Sequence, residues 1–313
     1  MEIHEERIRF LNDKQAKPEG QYVLYWMQQS QRAEWNQALE YAVQQSAEMD
    51  LGVLVVFGLM EDYPEVSLRH YAFMMEGLQE VASQLSERKI KFVLEKGSPE
   101  KVAVKYTKDA ALVVCDRGYL RHQKQWRKHV AEKSPVKVVQ LECDLVVPVE
   151  TVSDKEKYAA RTIRSKIHEH WKNFRQKVSI QKPGKRSLSL SFKGEDMDKA
   201  TEWLADMNIA QTPGPVTGHF KGGTSEAKKR FRSWLENSYS RYDENRSQPH
   251  RDDVSFMSPY LHFGQISPLW ILEQLKGRRG NNREAYEEEL IVRRELAVNF
   301  VHYNADYDSF KCI

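Results

Sequence analysis

The chain has 313 residues, of which 30% are charged, yet its formal net charge is only +3 and it holds three cysteines. Cys115, Cys143 and Cys312 are too few for a disulfide framework and fit no zinc spacing, which points to a reducing, cytoplasmic setting without a structural metal. A balanced charge requires that any affinity for nucleic acid come from local patches, and the longest apolar run, LGVLVVFGL, is far short of a bilayer span. The opening MEIHEERIRFLNDK has mixed charge and no apolar core, so it is not read as a signal peptide. YVLYWM (22–27) is a short apolar run and predicts a buried strand, followed by a stretch at 30–49 without Gly or Pro that predicts a helix. LGVLVVFGL (51–59) predicts a second strand, and Leu68, Tyr71, Met74, Met75, Leu78, Val81 and Leu85 recur at helical spacing over 67–87. IKFVLEKG (90–97) is a third strand, with PEKVAVKYTKDA as the helix after it. ALVVCDRGY (111–119) is a fourth, with a basic helix over 120–133, and VKVVQLECDLVVPV (136–149) supplies a fifth. Continuous apolar strands alternating with helices predict an α/β domain over 1–150: a doubly wound, parallel, five-stranded sheet covered by helices on both faces. No G-x-G-x-x-G follows the first strand and no Walker loop is present, although the carboxyl ends of such strands are a general place for a ligand.

The pattern changes after 150. KPGKRSLSLSFKGED (182–196) and TPGPVTGHFKGG (212–223) are rich in Gly, Pro, Ser and Lys, so 151–224 is read as an interdomain linker with some helix. A new helix is expected over 225–238, with Ser225 and Glu226 as capping residues. Helical spacing then continues through Phe231, Trp234 and Leu235, through Leu269, Ile271, Leu272 and Leu275, and into a helix over 283–302. Residues 225–313 thus predict a second, all-helical domain with few helices for its core.

From chemistry alone no enzymatic motif stands out. His168, Glu169 and His170 lie on a polar helix and read as a solvated face. Asp252-Asp253 reads as a helix cap rather than a metal site. Arg161, Arg164, Lys166, Trp171, Lys172 and Arg175 form one basic and aromatic cluster, and Lys228, Lys229, Arg230, Arg232, Arg241, Arg246 and Arg251 form another. Each suits a phosphate-rich partner or an ordinary charged helix surface. In SRYDENRSQPHRDDVSFMSPYLHFGQISP (240–268) two Ser-Pro steps bracket a short apolar helix, whose start could hold a phosphate or cap a core helix.

This last segment resembles the FAD-binding signature of the photolyase/cryptochrome family. Tyr242, then Arg246 four residues on, then Val254-Ser255-Phe256-Met257-Ser258 beginning eight further, match its spacing. PYLHFGQIS, EELIVRRELAVNFVHYNADYDSF (288–310), RHYAFMMEGLQE and YAARTIRSKI are similar to segments of the class II pyrimidine-dimer photolyases. YWMQQSQRAEWNQAL resembles their opening, with Gln37 in place of the usual Trp.

The resemblance implies that Tyr242 and residues 254–258 hold FAD and that Arg246 binds a DNA phosphate near the lesion. It implies that Glu289 hydrogen-bonds the flipped dimer, with Glu288 as a rival for the role. Arg293 and Arg294 would lie beside the pocket or on the DNA strand. Light-excited reduced FAD would donate an electron to a cyclobutane dimer in UV-damaged DNA, the ring would split, and the electron would return. A monomer is expected, with an antenna chromophore of deazaflavin or folate type in the N-terminal domain, though no motif specifies which. Family members continue well beyond the position matching Ile313. The FAD-binding domain is therefore expected to be incomplete and the activity impaired. The alternatives are a cryptochrome-like photoreceptor and a non-catalytic DNA-binding remnant.

Overall fold

The computed structural model describes residues 3–312. Met1, Glu2 and Ile313, at the ends of the two expected domains, lie outside the described residues. Six strands form one sheet: β1 (Ile8–Phe10), β2 (Tyr22–Trp26), β3 (Gly52–Leu59), β4 (Lys91–Lys96), β5 (Ala110–Asp116) and β6 (Val138–Leu141), in the order β1-β6-β5-β2-β3-β4. β2 to β6 are parallel and are the five strands expected. The sixth, β1, adds antiparallel to β6. The strand expected over 136–149 ends at Leu141, because the apolar residues beyond it serve a different core.

Strand alternation explains the two covered faces. Val23, Tyr25, Val53, Val55 and Val114 point to one side, where they meet Leu39 and Val43 of α1 (Gln37–Glu48) and Leu78 and Val81 of α2 (Leu68–Glu87). Tyr22, Leu24, Trp26, Leu54, Val56 and Val113 point to the other. There they meet Val102 and Tyr106 of α3 (Pro99–Thr107) and Val130 of α4 (Arg121–Lys133). The helix expected over 30–49 begins only at Gln37, since residues 28–36 form an ordered loop over the strand ends and the Asn36 side chain caps the helix by accepting from Leu39 N–H.

After a short α5 (Val149–Val152), α6 (Ala160–Phe174) turns Ala160, Ile163, Ile167 and Phe174 inward at helical spacing. These join Val146, Val147, Phe231, Trp234, Tyr260, Trp270 and Ile291 in a helical core. The expected linker therefore supplies part of that core. Residues 182–196 are equally ordered: they run as a strap along the sheet, with Phe192 packed edge-on against Tyr22 and Tyr106. The Ser187 hydroxyl donates to Val53 O at 2.6 Å and accepts from Lys91 N–H at 2.8 Å. Ser187→Ala leaves both buried backbone groups unpaired and is expected to destabilise the fold by about 2 kcal/mol, read as a lowered urea midpoint at unchanged slope.

Beyond the strap lie α7 (Ala200–Ala205) and α8 (Thr224–Asn237). Ser225 and Glu226 do not cap α8. Gly223 is the N-cap, and the Ser225 amide and hydroxyl are taken by the Glu80 carboxylate of α2. The chain continues through α9 (Tyr242–Asn245), α10 (Ser258–His262), α11 (Pro268–Gln274) and α12 (Asn281–Glu287). A π-helical stretch at Glu288–Arg293 leads into α13 (Arg294–Tyr303).

Two buried features seat these helices on the sheet. Arg32, fully buried, donates to Asp144 Oδ1 and to the carbonyls of Trp35, Cys143 and Gly264. Gly264 has φ +64°, and a Cβ there would stand 1.9 Å from the Gln29 carbonyl oxygen, so only glycine permits this approach.

Candidate functional site

The residues singled out in 240–268 converge on one face of the helical part. Tyr242 opens α9 and is buried, its ring edge-on to Trp234 and Tyr286 at 5.4 and 5.2 Å. Burial pushes its phenol up to about 12, and the neighbouring Glu289 carboxylate adds to the effect, so the hydroxyl stays protonated as a donor. Four residues on, one turn along, Arg246 projects outward and pairs with Glu289 at 2.7 Å. Asp243 lies 3.7 Å from the same guanidinium.

The π-helical stretch turns its consecutive carboxylates to different neighbours. Glu289 faces α9. Glu288 faces α6, where Arg164 holds it with two hydrogen bonds of 2.7 and 2.8 Å, and Arg293 lies 3.3 Å away. The Arg164 guanidinium holds the Glu288 carboxyl below its ordinary range. Of the two rivals, only Glu289 is brought to Tyr242 and Arg246. Arg293 is exposed beside Glu288. Arg294 is not in this group: it points the opposite way, donates to the Asp144 carbonyl at 2.5 Å and faces a cavity described below.

The loop 254–258 alternates. Ser255 and Met257 are buried and Phe256 and Ser258 exposed, with Phe256 at φ +54°, a backbone state unusual for a phenylalanine. The Ser255 hydroxyl meets the Tyr286 hydroxyl at 2.8 Å. Among the described residues, the backbone N–H groups of Val254, Ser255, Phe256, Met257 and Ser258 donate to no acceptor. A row of free amides leading into a helix start is the donor set that suits phosphate oxygens, so these residues fit the diphosphate of a dinucleotide. Asp253 does not cap the next helix. Arg241 and Asn245 hold its carboxylate, at 2.7 and 2.6 Å, and Trp234 Nε1 donates to its carbonyl, which fixes the loop from below.

The basic clusters are partly spent on internal contacts. Lys228 pairs with Glu34, Arg230 lies over Phe220, and Arg232 over Trp270. His168 and Glu169 are exposed, as a solvated face requires. No group of three or more His, Cys, Asp or Glu among the described residues could hold a metal ion, and no helix among them is long and apolar enough to cross a membrane.

A second feature was not legible in the sequence. A cavity of about 510 Å³ opens between the carboxyl ends of β2, β3 and β5 and the helical part. Gln28, Gln29 and Gln31 line it from the loop after β2, Arg117 from the end of β5, and Arg294 and Val298 from α13. Aromatic rings enclose it, among them Phe57, Tyr71, Trp126 and Phe263, and at its rim the Tyr63 hydroxyl meets His122 Nε2 at 3.2 Å. The one available sequence signal was positional, since open parallel sheets bind ligands where the strand order reverses, here between β2 and β5.

Residues 23–184 match the family model described as DNA photolyase. Over 311 residues the chain is 42% identical to a deoxyribodipyrimidine photo-lyase of Methanothermobacter thermautotrophicus, a match covering 99% of this chain and 68% of that protein. Its structure is similar to a bacterial class III photolyase from Agrobacterium tumefaciens, with a TM-score of 0.70 at 17% identity, covering 92% of this chain and 60% of the other. It is also similar to an archaeal photolyase from Sulfolobus tokodaii solved with two FAD molecules, with a TM-score of 0.64 at 20% identity, covering 90% and 60%. The chain thus spans about two thirds of these proteins' length.

Proposed function

Because the chain belongs to the DNA photolyase family, we propose that it serves light-driven repair of cyclobutane pyrimidine dimers in UV-damaged DNA, in the manner of the class II enzymes, with FAD as cofactor. The observation that carries this reading is the convergence of Tyr242, Arg246 and Glu289 beside a row of unengaged amides at 254–258. FAD, when bound, supplies the electron that light sends to the dimer. The chain's own residues do the rest. The 254–258 amides and Ser258 receive the phosphates. Tyr242 donates its phenol hydrogen to the cofactor, and the rings of Trp234 and Tyr286 keep it in place. Arg246, exposed on the same face, reaches a DNA phosphate and steadies the flipped nucleotide, with Arg293 further along the strand. Glu289 hydrogen-bonds the base edge of the dimer and offsets the charge that develops there. The cavity at the strand ends is the place for a light-harvesting chromophore of deazaflavin or folate type. Its aromatic walls suit a flat ring system.

The test uses this chain, purified, with two readouts. Flavin absorbance bands together with loss of dimers from an irradiated oligonucleotide, in light but not in the dark, would support the repair reading. Flavin without repair would favour a photoreceptor. Colourless protein with salt-sensitive DNA binding would mark a non-catalytic DNA-binding protein.

A further inference from the structure

One flank of α6 carries cations that no contact inside the protein uses. At about 100° per residue, Arg161, Arg164, His168 and Lys172 fall within an arc of about 80°, across the helix from the buried Ile163 and Ile167. Glu169, the one carboxylate of the helix, lies outside that arc. Arg164 is held by Glu288, but Arg161 and Lys172 are exposed and, among the described residues, pair with no carboxylate. The exposed lysines of the α/β domain behave differently. Lys105 pairs with Glu95 at 2.9 Å, Lys128 lies 3.9 Å from Glu132, and Lys185 pairs with Asp50 at 2.9 Å.

The flank is fixed in line with the candidate site. Ile163 and Ile167 share the helical core with Leu290 and Ile291. Asn299, fully buried, accepts from Lys157 N–H at 2.7 Å and donates to Lys155 O at 3.3 Å, which pins the start of α6 to α13. Arg164 and Arg246 reach consecutive carboxylates, Glu288 and Glu289, from different sides of the π-helical stretch. They are therefore separated by about one helix width, roughly 10 Å. The cations run from Arg246 through Arg293 and Arg164 to Arg161 and Lys172. Glu288 and Glu289 offset the first three, and nothing offsets the last two. From 161 to 172 the helix rises about 16 Å, the axial length of about five phosphates of one DNA strand.

The ring on this helix is already occupied. His168 stacks on Trp171 with centroids 4.7 Å apart, and the Arg175 guanidinium lies over the same ring at 5.3 Å. The flank thus offers charge without a free stacking surface, which suits a paired backbone better than an unpaired strand.

We propose that the α6 flank, through Arg161 and Lys172, binds the phosphate backbone of duplex DNA to one side of the nucleotides that Arg246 meets. The proposal rests on the reading of the chain as a DNA-repair protein and adds a sequence-independent contact that lengthens its footprint.

The test measures the affinity of the purified chain for an undamaged duplex, in the dark, between about 50 and 200 mM salt. Arg161→Gln/Lys172→Gln should reduce the slope of log affinity against log salt by about 1.8, and each single variant by about 0.9. At about 50 mM salt the double variant should bind about tenfold more weakly. Both side chains are exposed and unpaired, so folding should be unaffected, checked by an unchanged urea midpoint. Lys105→Gln/Lys128→Gln removes the same two charges from α3 and α4 and should leave the slope unchanged. An equal fall in that variant would make the effect one of net charge and overturn the proposal. So would an unchanged slope in Arg161→Gln/Lys172→Gln. Loss of binding to phosphatidylserine vesicles in that variant, with duplex binding retained, would assign the flank to a lipid surface instead. A wild-type chain that binds no duplex would overturn the DNA reading as well. A changed slope without dimer repair would leave this contact standing and count against the repair reading alone.

Discussion

Exchanging Glu289 for glutamine is expected to lower the light-driven repair rate by about 10²-fold while leaving DNA binding intact. The factor asks about 2.7 kcal/mol of the carboxyl group, within the range of a positioned acid–base or charge-stabilising side chain. Glutamine keeps the shape and one acceptor oxygen but loses the charge and the capacity to carry a transferable proton. The binding readout separates this from misfolding. In the free protein Glu289 holds Arg246 at 2.7 Å. The pair is solvent-exposed, so its release is worth under about 1 kcal/mol. With the carboxylate gone, Arg246 is free to meet a phosphate, and affinity for undamaged duplex should hold or rise, up to about fivefold. Arg246→Ala should act in the opposite sense, weakening binding about tenfold and reducing the salt slope by about 0.9. Glu288→Gln is the control: it breaks the contacts with Arg164 and Arg293, away from Tyr242, and repair should stay within about twofold of wild type. Equal losses in Glu288→Gln and Glu289→Gln, at equal folding stability, would remove the distinction between the two carboxylates.

The sheet was legible because strands covered on both faces have no polar side to disguise them. Val53 to Leu59 are all apolar apart from glycine, and no helix face has that pattern. The same rule misled at 142–149. Val146 and Val147 continue the apolar run of β6 but leave the sheet to pack among the helices, and hydrophobicity alone does not say which core a residue joins. β1 escaped because three residues with Arg9 and Phe10 exposed carry no periodic signal. Ser225 has the composition of a cap, yet Glu80, distant in sequence, took its amide and hydroxyl first. Tyr242, Arg246 and Glu289 were found by spacing and likeness. Their grouping is partly local, one turn of chain between the first two, while Glu289 arrives from a helix more than forty positions on. Arg294 adjoins Arg293 but faces the cavity, because neighbours on a helix point roughly 100° apart. The cavity itself had no sequence signature. Its walls come from short pieces of both halves of the chain.

The contribution of one carboxyl group to stability is expected to fall as pH rises from about 4 to 8; His302 on the same helix, which burial pushes down to about 4, opposes it up to about pH 6.5, so the net fall shows between about pH 6.5 and 8. Glu295 sits on α13, 2% exposed, with Oε1 accepting from Val146 and Val147 N–H at 2.6 and 3.3 Å and Oε2 without a partner. Burial pushes it up to about 8, and Glu142 adds to this against the two amides and Arg294. The unfolded chain releases the same proton near pH 4.3. Between these values the folded state binds more protons, so stability declines by up to about 1.4 kcal/mol per pH unit, about 4 to 5 kcal/mol across the window if this group acted alone. The contribution is fully present below pH 4 and lost above pH 8. Glu295→Gln should match the wild type near pH 5, show a flatter profile, and exceed the wild type by about 2 to 4 kcal/mol near pH 9. Urea midpoints from pH 5 to 9 check this, and parallel profiles for the two proteins would sink it. The same carboxyl fastens α13 to the 146–147 backbone, and the helix it fastens carries Arg294 at the cavity and leads back to Glu289. Alkaline pH should therefore loosen that helix first, and hydrogen exchange over 288–303 should rise with pH in the wild type and not in the glutamine variant, after correction for the intrinsic rate.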